Sequence, residues 1–338
     1  MENNILFYIG LILINFLVIV KFDFLSKKIK LFDNPDNNRK IHKKPISLLG
    51  GSIILMNISI SLTYVLIEYD KDFFKLFFYL YSVESLLVFL IIISFIFVLG
   101  FLDDKFNISP LKKFFLLIFL IFILCENDSL TIINRFSFHI LNEEIYFSQL
   151  SLIFSICCYV FLIIALNMYD GINLQSSIFY LTNFILMMFY MGQLNIILIS
   201  IIVGILFFSY LNFKNKAFLG DNGVFILSFL IAYIFVKLFN NTNLFKSSDI
   251  ALFLFLPVID ALRVMFERQF INNKPIFYAD KLHFHHKLLR RYKYKTTLSI
   301  STLFVVIPHF IFISQLNSEY FFLPFAIVYF YLIKKNNI

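Results

Sequence analysis

Residues 85–107 read SLLVFLIIISFIFVLGFLDDKFN. From Ser85 to Leu102 the stretch carries no charge, and it is long enough to cross the hydrocarbon core of a bilayer as a helix. It then ends in two adjacent carboxylates, Asp103 and Asp104. The end of a spanning helix ordinarily carries lysine or an aromatic belt. Taken alone, the acid pair reads equally well as a solvated helix end or as a site.

Runs of the same kind recur outward in both directions, at roughly 5–22, 49–67, 111–125, 150–168, 174–191, 194–212, 224–240, 249–266, 298–315 and 318–333. The composition agrees: 60% of the 338 residues are hydrophobic and 15% charged, against about 45–50% and about 25% in an average soluble domain. Mean hydropathy is +0.84. This excludes an ordinary soluble core and predicts an all-α polytopic membrane protein of ten to eleven spans, organised as one domain over 1–338. The stretch 73–84 either extends the third helix or lies along the interface. The segment 126–148 alternates in part and reads as a short hairpin. The N-terminal MENNILFYIG lacks the basic region of a secretory signal, so the first apolar run is expected to stay as a span. Cys125, Cys157 and Cys158 make no disulfide framework.

Lysine and arginine give the orientation. With the N-terminus outside, only Lys71, Lys75, Arg135, Lys237 and Lys246 of the 29 basic residues fall outside. The basic loops 21–48 and 263–297 then face the cytoplasm, as the positive-inside rule requires, and no nucleic-acid partner is expected.

Five polar islands also fall on that face: DNPDNNRKIHKKPISLLGG from Asp33, the Asp103–Asp104 loop, ALNMYDGINLQ around Asp170, AFLGDNGVF around Asp221, and a long stretch from Pro257 to Arg291 that ends in HFHHKLLRR. An ionisable group at membrane depth is costly and usually functional, which singles out Asp170. If its stretch stays helical, Asn167, Asp170 and Asn173 share a stripe. GDNG offers a carboxylate and glycine-exposed N–H groups at a helix start, where phosphate binds readily; alone it is equally a turn. The histidines His283, His285 and His286 lack the spacing of zinc proteases and suit phosphate or proton relay better. Carboxylates facing water favour Mg²⁺ completed by substrate phosphates. Arginine, histidine and lysine suit the remaining phosphate oxygens. Acids and cationic donors on one aqueous face therefore point to one shared site for phosphoryl transfer.

Five blocks in order, RKIHKKPISLLGG, GFLDDKF, NMYDGIN, FLGDNG and the stretch that ends in HFHH, resemble the polyprenyl-phosphate N-acetylhexosamine-1-phosphate transferases over about residues 33–290. DKLHFHHKLL is more similar to the initiating transferases for UDP-N-acetylglucosamine and related sugars than to the muramoyl-pentapeptide enzymes. The resemblance implies a bacterial inner-membrane enzyme that moves a sugar-1-phosphate from a UDP-sugar to polyprenyl phosphate and releases UMP. It implies Mg²⁺, or Mn²⁺ in its place, as cofactor, and it allows a homodimer. Asp103 and Asp104 match the family's aspartate pair, implied to bind or deprotonate the lipid phosphate or to hold the metal. Asp221 matches the metal-binding aspartate. Asp170 and Asn167 match the nucleotide block, with Asn173 beside them. Arg268, His283, His285 and His286 match the cationic loop around the diphosphate, with His283 and Asp170 as further catalytic candidates. Arg39, Lys40 and His42 match the first-loop motif.

Two departures stand out. Where the family often reads DGIDGL this chain has DGINLQ, so Asn173 replaces an aspartate and Leu174 a glycine. Val224 and Ser228 stand where serine and glycine are usual. Asn173 motivates an alternative reading, an inactive or scaffold member of the family. A carrier that uses Asp170 is the other alternative, but the sequence shows no repeat of the kind carriers carry.

Overall fold

The computed structural model describes residues 2–35, 42, 44–68, 83–141, 143–190, 195–242 and 244–335. Helix dominates them. In lipid each backbone N–H and C=O needs a partner inside its own segment, and the α-helix supplies one. Every apolar stretch of the sequence coincides with helix: α1 (Glu2–Val20), α2 (Phe22–Ile29), α3 (Gly50–Glu68), α4 (Val83–Phe106), α5 (Pro110–Asn127), α6 (Ser151–Tyr169), α7 (Gln175–Tyr190), α8 (Ile196–Phe213), α9 (Gly220–Asn241), α10 (Ser247–Phe253), α11 (Phe255–Phe266), α12 (Phe284–Leu289), α13 (Tyr294–Ile313) and α14 (Glu319–Lys335).

Among the described residues six of these are long and apolar enough to cross a membrane, and α1 with α2, bent by 68°, makes a seventh if the pair is one span. Hydropathy led to ten or eleven comparable spans, and the difference has local causes. Helices α7 and α14 run only 16 and 17 residues. Helix α5 carries Lys112, Lys113 and Glu126. The 249–266 run breaks at Leu254 into α10 and α11. The 73–84 stretch lies outside the described residues except for its last two, which open α4.

The Cα framework divides into two compact units, each assembled from two separate stretches of chain: Met1–Leu120 with Asn183–Ile231, and Ile121–Thr182 with Ala232–Ile338. In the first unit α3 packs along α8, and α1 packs on both. Asn57 of α3 and Asn15 of α1 exchange hydrogen bonds of 3.0 and 2.8 Å, a buried amide pair of the kind that joins helices where lipid supplies no hydrophobic drive. A two-stranded ribbon, β1 (Phe32–Asp33) against β2 (Ile46–Ser47), leads into α3. The carbonyl of Ser47 accepts from Phe218 N at 2.8 Å, and Gly51 N donates to Leu219 O at 2.9 Å. These bonds lash the chain just before α9 to the start of α3.

In the second unit α6 packs against α11, and α13 packs against α10, α11 and α12. The hairpin expected in 126–148 forms: β3 (Arg135–Phe136) pairs antiparallel with β4 (Ile145–Tyr146). Buried Lys237 of α9 is paired with Asp128, which satisfies a charge that would otherwise be costly at that depth.

Candidate active site

The first unit gathers three of the candidate carboxylates. Helix α4 ends at Phe106, and Asn107 turns left-handed (φ 51°) while its N–H donates to Asp103 O at 2.8 Å. This is a left-handed C-terminal cap, a conformation that asparagine tolerates. Pro110 then opens α5, where its missing N–H costs nothing. The reversal brings Lys113, in the first turn of α5, back beside Asp103. Its Nζ lies 2.5 Å from Asp103 Oδ2 and 3.4 Å from Asp221 Oδ2. One ammonium thus bridges two carboxylates from helices far apart in sequence.

Asp104 is placed differently. It accepts the N–H groups of Asp221 (2.9 Å) and Asn222 (3.1 Å), together with the side-chain amide of Asn222. It therefore caps the N-terminus of α9, where a negative charge also meets the positive end of the helix dipole. GDNG makes the first turn of α9, with Gly220 at φ +73°. Two other glycines allow the approach. A Cβ on Gly100 would come within 2.5 Å of the Asn222 Cα, and one on Gly51 would overlap Asn222 and Gly223. Helix starts and helix ends meet here backbone to backbone.

The second unit gathers the cationic loop. Asp260 of α11 is buried and accepts from Arg263 Nη2 (2.7 Å), Tyr329 Oη (2.7 Å), Phe284 N (3.0 Å) and His283 Nδ1 (2.9 Å). On its other side His283 Nε2 faces Arg268 Nη2 at 3.2 Å. A guanidinium only donates, so Nε2 is the acceptor, and the network assigns a neutral ring with its proton on Nδ1. Arg268, in the π-helical segment Glu267–Ile271 that follows α11, forks onto Asp280 with bonds of 2.9 and 3.0 Å and donates to Ile276 O. Burial opposes the Asp280 carboxylate, but the Arg268 bonds prevail and hold it below its usual range.

The NMYDGIN block lies in the same unit and corrects one expectation. Helix α6 stops at Tyr169, and Asp170 caps its C-terminus at ψ 69°. The helical stripe of Asn167, Asp170 and Asn173 therefore does not form. Ser176 Oγ donates to Asp170 Oδ1 at 2.5 Å, and the Asn173 carbonyl accepts from Tyr294 Oη at 2.8 Å. Leu174 sits at φ 64°, the left-handed region where the resembling family has glycine. A leucine there costs about 1–2 kcal/mol. Leu174→Gly is expected to raise the thermal midpoint in detergent by a few degrees (~2–8 °C); a lowered midpoint would show that the leucine's packing outweighs its backbone cost.

Gly171 brings this loop to the histidines. A Cβ on Gly171 would penetrate the His285 ring, so only glycine lets the two approach. The His285 ring lies 4.4 Å from that of His286 and 5.8 Å from that of His283, centroid to centroid. Burial first, then neighbouring His286, pushes His285 well below the ordinary imidazole value. The ring stays neutral in the fold but takes up a proton once unfolded. Stability is therefore lost as pH falls below about 6.5. His285→Gln is expected to flatten that acid-side loss in thermal melts run between pH 7 and pH 5.

His42 lies in the first unit, 3.5 Å from Asp33 Oδ2 and edge-on to Phe218. Arg39 and Lys40 lie outside the described residues. The structure also brings in residues that sequence reasoning passed over: Lys113, Asp260, Arg263 and Tyr329. Only Asp260 and Arg263 carried a signal, as charges in the apolar run PVIDALRVMF.

The fold and these clusters define a polytopic helical membrane protein that holds buried acids and cationic donors suited to anionic, phosphate-bearing ligands. The model of glycosyl transferase family 4 matches residues 86–239 of the chain. It is 26% identical over 274 residues, 78% of this chain and 71% of the relative, to the probable undecaprenyl-phosphate N-acetylglucosaminyl 1-phosphate transferase of Bacillus subtilis (strain 168).

Proposed function

We propose that this protein transfers an N-acetylhexosamine-1-phosphate from a UDP-sugar to a polyprenyl phosphate at the cytoplasmic face of a bacterial membrane. It would thereby open a pathway to a cell-surface glycan. An oxygen of the lipid phosphate attacks the β-phosphorus of the donor, forming one P–O bond. The bond from that phosphorus to the bridging oxygen breaks, and UMP leaves. The observation that carries the reading is the meeting of Asp103, Asp221 and Lys113, with Asp104 capping α9 beside them. The match of the family 4 model to residues 86–239 and the similarity to the Bacillus relative support it.

Both reactants are anions, so bare carboxylates would repel them. Among the described residues no group of three histidine, cysteine or acidic side chains gathers to form a complete metal site. The donor set nonetheless fits Mg²⁺, which binds through one or two carboxylates and takes its other ligands from substrate phosphates. Asp103 and Asp221 already share one positive charge, that of Lys113, and would hold the ion. When bound, it supplies neutralisation of charge on the transferring phosphoryl group. Lys113 would be placed to pair with a phosphate oxygen. Asp104 keeps the Asp221 N–H group and side chain in place. Within the second unit Arg268, held by Asp280 and His283, is a cationic donor of the kind that suits phosphate oxygens.

The test is reconstitution. Purified protein receives undecaprenyl phosphate, Mg²⁺ and radiolabelled UDP-sugars, beginning with UDP-N-acetylglucosamine. Label is expected in the lipid fraction with stoichiometric UMP, and EDTA is expected to abolish both. Absence of lipid-linked label with every UDP-N-acetylhexosamine tried would overturn the reading.

A further inference from the structure

Tyr329 belongs to α14, the last helix of the chain, beyond the family match and beyond every motif block. It is wholly buried, yet it is not simply packed. Its hydroxyl lies 2.7 Å from Arg263 Nε and 2.7 Å from Asp260 Oδ1. It accepts from the guanidinium and donates to the carboxylate, a geometry that a phenol satisfies and a phenylalanine cannot. Its ring stacks on Phe284, centroids 5.2 Å apart. Phe284 in turn follows His283, and its N–H is bound by the same Asp260 oxygen. The Tyr329 hydroxyl and ring thus meet both ends of the connection between Asp260 and the histidine stretch.

We propose that Tyr329 is a positioning residue: its hydroxyl fixes the Asp260 carboxylate so that His283 is held with Nε2 toward Arg268. The argument is one of shared lone pairs. Asp260 Oδ1 is held by three donors, Arg263, Tyr329 and Phe284 N, which leaves Oδ2 for His283. Without the phenol the carboxylate is free to rotate toward Arg263, and the bond that sets the tautomer and tilt of His283 weakens. Arg268 loses an acceptor and with it part of its orientation. The effect on transfer rests on the function proposed above; the effect on His283 does not.

The decisive variant is Tyr329→Phe, which keeps the ring on Phe284 and removes only the hydroxyl. Turnover is expected to fall about tenfold, with KM for polyprenyl phosphate changed less than about twofold. In a His283→Gln background the same change is expected to cost less than about twofold, because the two residues act through one route. A full additional tenfold loss there would overturn the proposal. A readout independent of catalysis uses protein labelled with ¹⁵N-histidine. The His283 Nδ1–H resonance, assigned by its loss in His283→Gln, is expected to shift in Tyr329→Phe. If that resonance stays in place the proposal fails. Wild type that makes no product would defeat the functional reading alone, leaving the resonance to decide the role of Tyr329.

Discussion

Asp103→Asn and Asp221→Asn are each expected to lower turnover at least about a hundredfold, as loss of one preorganised transition-state group typically does. Both changes keep shape and remove charge. They therefore separate electrostatics from packing. The fold should tolerate them: in either variant Lys113 keeps the other carboxylate, and the backbone cap of α9 on Asp104 is untouched. Thermal midpoints near that of wild type, beside collapsed turnover, would locate the loss in the chemistry. Turnover near wild type in both variants would remove these residues from the site.

Gly100→Ala is the second large effect. It is informative because helix propensity argues the other way. In a helix interior alanine is favoured over glycine by about 1 kcal/mol. At position 100, however, the new methyl would lie 2.5 Å from the Asn222 Cα and 2.7 Å from the Asp221 carbonyl carbon. Backbone, unlike a long side chain, cannot swing aside. The start of α9 must retreat from α4, and Asp104 then loses its hold on the Asp221 and Asn222 N–H groups. A displacement of about 1 Å at a reacting centre can cost about a hundredfold in rate, and that is the expected loss. Gly10→Ala is the control: nothing lies within 4 Å of a Cβ there, so its turnover should be unchanged. Equal behaviour of the two alanine variants would refute the close-contact account.

Much of this was legible in the sequence because hydropathy and turn chemistry act locally. The position of the long helices followed from their apolar runs, and the helix start at GDNG and the 126–148 hairpin from their residues. What the sequence hid depends on contacts between distant segments. Lys113 reads as one more cytoplasmic lysine, because nothing local shows that Asn107 will turn the chain back onto Asp103. Tyr329 reads as one of many aromatics in an apolar helix. The Asn167–Asp170–Asn173 stripe failed for the opposite reason. The stripe required the stretch to stay helical, and α6 ends at Tyr169 with Asp170 as its C-cap, so Asn167 lies in the helix and Asn173 beyond it.

The interleaving of the two units bears on how the chain is made. Asp104 is synthesised 117 residues before the Asp221 amide it must capture. The first unit stays incomplete until Ile231 has left the ribosome, and the second waits for the C-terminal helices. A nascent chain arrested before α9 would hold Asp104 without the N–H groups that it accepts in the finished fold. Vectorial synthesis thus delays the assembly of the carboxylate cluster until well past the middle of translation.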